Sequence, residues 1–116
     1  MENTKQLAEP LRITNSGNYD LNDYHSSPEI ALSGALLLSS NIENDLTTTI
    51  KIINKRNKQE FDRLMLMAFR NPTLPDEDKI KITGKFFNPK SHYLKIEPKN
   101  NSEDIQFLLY FSKRLE

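Results

Sequence analysis

Lys79-Ile80-Lys81-Ile82-Thr83-Gly84-Lys85-Phe86-Phe87 alternates polar with apolar side chains, and this period of two constrains the fold more than any other feature of the chain. Successive residues of a strand point to opposite faces, so alternation marks a strand with one face buried. Ile80, Ile82 and Phe86 are expected on the inner face, with Lys79, Lys81, Thr83, Lys85 and Phe87 outside. Thr47 to Lys55 (TTTIKIINK) is dominated by β-branched residues and is the clearest strand of the chain. After the turn Asn88 to Ser91, the run His92 to Glu97 is a further strand, with Leu94 and Ile96 inward and Tyr93 and Lys95 outward.

Three segments are ambiguous by composition. Residues 29–40 carry helix-forming Ala and Leu, but Gly34 and the serines favour a long strand bent at the glycine. Glu60 to Arg70 suits a helix by propensity, yet its place after a strand and a polar turn suits a hairpin partner. Ile105 to Arg114 fits either a strand or a terminal helix. Asn71 to Asp78 and Pro98 to Asp104 are loops, the first closed by Pro72 and Pro75.

With 116 residues the chain forms one domain. Cysteine is absent, which excludes disulfides, thiolate nucleophiles and Cys-ligated zinc. No apolar run is long enough for a spanning helix, and no basic segment followed by an apolar one opens the chain, so a cytoplasmic protein without membrane partners is expected. Sixteen basic and sixteen acidic side chains cancel overall, but unevenly. Residues 1–46 sum to −5, 47–71 to +4, 72–78 to −3, 79–100 to +5 and the remainder to −1. Two basic blocks inside a neutral chain point to a confined electrostatic patch.

Residues 1–28 are polar and acidic with little periodicity, so a mobile N-terminal arm is expected, followed by a β domain over 29–116. Leu11-Arg12-Ile13 is the one extended piece expected in the arm. Tyr19, Leu21 and Tyr24 are spaced to dock on the domain or on a second copy. The arm's acidity suits it to cover the basic patch or to reach a neighbouring subunit.

The run Pro75 to Phe87, its turn and Tyr93-Leu94-Lys95-Ile96 resemble the fourth and fifth strands of OB-fold domains. The upstream order agrees, with residues 30–40 as a bent first strand and 47–55 and 61–70 as the second and third. The resemblance spans about 70 of the residues at the level of pattern, and with only 71–78 as the link, the helix many OB folds carry there is missing or reduced. It implies a mainly β, five-stranded barrel that binds single-stranded DNA or RNA without sequence specificity. Mapped onto this chain, the groove gathers Lys51, Lys55, Arg56, Lys58, Phe61 and Arg63, with Phe69 beside them, and Lys85, Phe87, Tyr93 and Lys95 from the last pair. Cations there would hold phosphates and rings would stack on bases. Twelve asparagines and eleven lysines against five arginines suit an AT-rich genome, such as that of a phage or plasmid.

Catalysis is not expected. His25 and His92 lack partners at ligand spacing, and no phosphate loop or nucleophile elbow occurs. The cluster Asp76-Glu77-Asp78 reads as a solvated loop, so neither metal nor cofactor is implied. The competing reading is a protein-binding module or an inhibitor of host machinery, oligomerising through the arm or the apolar segment Phe107 to Phe111.

Overall fold

The computed structural model describes residues 4–73, 78–99 and 104–115. The loops expected over 71–78 and 98–104, with Asp76 and Glu77, fall partly outside them. In chain order the elements are β1 (Thr4–Gln6), β2 (Leu11–Ile13), β3 (Gly17–Tyr19), β4 (Ile30–Leu37), α1 (Ile42–Leu46), β5 (Thr49–Asn54), β6 (Glu60–Met65), β7 (Lys79–Lys81), β8 (His92–Glu97) and β9 (Phe107–Arg114). The protein is mainly β, as the alternation requires, but with nine strands among the described residues where five were expected.

The strands form two antiparallel sheets. One runs β3-β8-β5-β6; in the other, β4 lies between β7 and β9, and both β1 and β2 pair with β9. Residues 29–40 are strand over most of their length, and the bend falls where glycine permits it. The β4–β9 register shifts between Leu32 and Gly34, leaving Ser33 as an extra residue, and the fold contains a strongly curled half-barrel sheet. The segment Glu60 to Arg70 divides its allegiance: β6 pairs with β5, and Leu66–Phe69 then closes as a 3-10 turn. Ile105 to Arg114 is strand rather than helix from Phe107 on, because its alternate residues Phe107, Leu109 and Phe111 are fully buried.

Both sheets turn their apolar faces to one core. Ile50, Ile52, Leu94 and Ile96 enter it from one sheet, and Leu32, Phe107, Leu109 and Phe111 from the other. Burying each such side chain contributes roughly 1.5–3 kcal/mol. The short helix α1 starts at Asn41, whose side chain accepts a hydrogen bond from the Glu43 amide at 3.2 Å. Inside α1, the fully buried Asp45 carboxylate accepts from the amides of Ser39 (3.1 Å) and Gln106 (2.9 Å), tying the end of β4 to the start of β9. No helix among the described residues is long and apolar enough to cross a membrane.

Two placements differ from the sequence reading. Within 1–28 the extended piece expected at Leu11–Ile13 is β2, and Leu21 and Tyr24 dock in the core, but β1 and β3 are added to it, so the segment joins both sheets rather than standing apart as an arm. The Tyr24 hydroxyl donates to the Glu9 carbonyl at 2.8 Å, and its ring packs 4.8 Å from Phe111. Three-residue strands are too short to show a period, so a handful of buried side chains carries this attachment. The second difference is at Phe86 and Phe87. Phe87 is 3% exposed and Phe86 lies partly outside, the reverse of strict alternation. Past β7 the chain follows β4 irregularly: Ile82 donates to the Ser33 carbonyl, Gly84 to Leu32 and Phe87 to Ile30. Between Gly84 and Phe87 three residues advance against two on β4, and the extra residue flips the parity.

Candidate nucleic-acid interface

The outer face of the β3-β8-β5-β6 sheet collects most of the residues expected in the groove. Lys51 on β5 stands directly opposite Lys95 on β8 and Arg63 on β6, so three cations form one row across three strands. Register also sets Tyr93 opposite Ile53, which faces Glu60 beside the bulged Phe61. Lys55, Arg56 and Lys58 sit at and beyond the end of β5, in the turn leading to β6.

That turn is built by its asparagines. Asn54 Oδ1 accepts from the Arg56 amide at 2.8 Å, and Asn57 Oδ1 accepts from the Gln59 amide at 2.9 Å. Lys58 takes a left-handed backbone, φ +60°, which asparagine or glycine adopts more easily. Its ammonium lies 5.5 Å from the centroid of Tyr93.

The cations are held by carboxylates of the same face. Lys51 Nζ lies 2.9 Å from Glu97 and 4.0 Å from Glu60, Lys95 3.3 Å from Glu97, and Arg63 2.9 Å from Glu60. Lys55 lies 3.6 Å from Asp20, a contact from the acidic front of the chain onto the basic face. The Glu97 carboxyl is held below its usual range, chiefly by its hydrogen bond with Lys51. Six cations thus face three carboxylates, and the surface keeps a positive excess.

Two of the expected residues are not part of this face. Phe87 belongs to the core, so its ring is not open to stacking; its edge meets His92 at 5.8 Å, and His92 in turn meets Phe61 at 5.1 Å. Lys85 lies on the segment that follows β4 in the other sheet. Phe69 closes the 3-10 turn after β6, half-buried against the core. Phe61 is 42% exposed and available. What sequence reasoning missed is the set of carboxylates. Period two already places Glu97 beside Tyr93 and Lys95 on the outer face, whereas Glu60 and Asp20 come into place only through strand register.

Comparison with known protein families, curated proteins and solved structures gives no match.

Proposed function

We propose that this protein binds single-stranded nucleic acid, without sequence specificity and without catalysis, on the outer face of the β8-β5-β6 strands. The observation that carries the reading is the registered row Lys95–Lys51–Arg63, with the half-buried ring of Tyr93 on the same face and the exposed Phe61 on the neighbouring edge strand. Phosphates supply the long-range attraction to such a row, and rings supply sequence-tolerant stacking worth roughly 1–3 kcal/mol per base. In the OB-like reading of the chain, the β5–β6 hairpin takes the place of the second and third strands and β8 that of the fifth. The strained Lys58 fits the same reading, since it holds a cation over Tyr93 at the cost of an unfavourable backbone. A phage or plasmid setting and a cytoplasmic location accompany this proposal.

The test is binding of labelled oligo-dT across a salt series, with Lys51→Glu and Arg63→Glu combined. Affinity should fall steeply with salt and fall further in the variant; unchanged affinity in a folded variant would remove the face from consideration. One observation favours a second reading, a protein-binding module: Phe61, Met65 and Met67 are each more than 40% exposed on or just after the edge strand β6. That reading predicts no oligo-dT binding even at low salt.

A further inference from the structure

The second sheet carries a recess of a different character. An open groove of about 900 Å3 lies along the outer side of β4, between β7 and β9. Its floor is made of small residues. Ala31 and Ser112 face each other across β4 and β9 and are 5% and 8% exposed although they point away from the core. Gly34 stands in register between Tyr110 of β9 and Lys81 of β7, so one row across the sheet reads ring, empty position, cation. Two strand spacings, about 9.6 Å, separate the ring strand from the lysine strand. Tyr110 and Lys81 therefore flank a gap that a planar group can occupy.

The charges of this groove differ from those of the opposite face. Lys79 and Lys81 project from the same side of β7, and neither has an ion-pair partner among the described residues. Phe86 closes one end of the groove under the guanidinium of Arg114, 4.2 Å from the ring centroid. Unpartnered ammonium groups on one wall, an aromatic ring on the other and a floor of small residues between them are complementary to a ligand with an anion at one end and a flat ring at the other.

We infer that this groove binds a nucleotide unit, its phosphate on Lys79 and Lys81 and its base over Gly34 against Tyr110. The site is separate from the β8-β5-β6 face and does not depend on that reading. The same chemistry is presented by a free nucleotide and by one unit of a passing strand, and the two sources are distinguishable.

The experiment titrates dTMP, thymidine and a short oligo-dT separately into the isotope-labelled full chain and follows the amide signals of Gly34, Lys81 and Tyr110. Saturable shifts at these positions with dTMP, and binding of thymidine about tenfold weaker or less, are expected. If dTMP binds as tightly as oligo-dT per site, a free nucleotide is the ligand; shifts with oligo-dT alone identify a strand unit. Lys79→Glu with Lys81→Glu, and separately Tyr110→Leu, should each weaken binding about tenfold. Lys51→Glu with Arg63→Glu should leave the groove signals unchanged, whatever it does to the opposite face. The inference is overturned if none of the probes shifts these amides. Measurable binding of dTMP and thymidine with equal affinity in the unmodified chain also overturns it, and that comparison needs no variant to fold.

Discussion

Neutralising Glu60 and Glu97 together should tighten oligo-dT binding, although the variant adds no cation and only removes two negative charges from the face. In the native protein Glu97 engages both Lys51 and Lys95, and Glu60 engages Arg63 and, more distantly, Lys51. With Asp20 on Lys55, three carboxylates oppose the six cations of the face, an excess of three. For single strands log K falls with log salt by about 0.7 per neutralised phosphate, which gives a slope near −2 for the native face and about −3.5 for Glu60→Gln with Glu97→Gln. If the two lines meet at about 1 M salt, the variant binds up to roughly 70-fold tighter at ~50 mM. Fluorescence anisotropy of labelled oligo-dT across a salt series reads both slope and affinity. Exposed ion pairs contribute little to folding, so the melting temperature should remain close to that of the native chain. An unchanged slope with unchanged or weaker affinity would refute the argument, because it would show that no strand lies on these lysines.

Other consequences concern single residues. Lys58→Gly relieves a left-handed backbone and should raise stability by about 0.5–1 kcal/mol while weakening oligo-dT binding, as denaturant melts and anisotropy would show. Asp45→Ala removes the acceptor for two buried amides and should cost about 2–4 kcal/mol in urea unfolding. Gly84→Ala places a methyl group 3.0 Å from the Leu32 carbonyl oxygen, backbone that cannot swing aside, and should destabilise by about 1–3 kcal/mol. Burial pushes the Tyr24 hydroxyl up to about 12, with the nearby carboxylates of Asp23 and Glu9 adding to it. The folded state therefore holds that proton where the unfolded chain releases it, and stability should fall as pH rises from about 10 to 12, by roughly 2–3 kcal/mol. Flat stability over that range would contradict the burial.

The parts of this architecture that were legible in the sequence are those where one strand of five or more residues buries one face. Ile50 and Ile52, then Leu94 and Ile96, declare their parity without reference to any partner, and Tyr93 and Lys95 fall on the outer face as alternation requires. The row Lys95–Lys51–Arg63 needs more than parity, because register is a property of two strands together. Charge counting along the chain finds basic blocks around residues 51 and 95 but not the carboxylates that meet them across strands. Phe86 and Phe87 were misordered because one irregular step after Gly84 reverses the faces, and a local pattern carries no trace of that step. In residues 4–28 the sequence picks out Leu11–Ile13 and the docking of Leu21 and Tyr24, but not β1 and β3, whose three residues each bury too little to show a period.

Strand β9 pairs Thr4 with Arg114, Leu11 with Leu109 and Ile30 with Lys113, so its neighbours are drawn from the far front of the chain. The sheet around it cannot nucleate from any local hairpin. It has to close very long loops before its first ladder bonds form, whereas β5 and β6 zip across a short turn. Refolding should therefore begin at the β5–β6 hairpin, which brings Lys51 opposite Arg63, and end with the sheet around β9. Until β9 docks, Phe107, Leu109 and Phe111 stay uncovered, and this late step is where a slow or crowded refolding reaction would lose chains to aggregation.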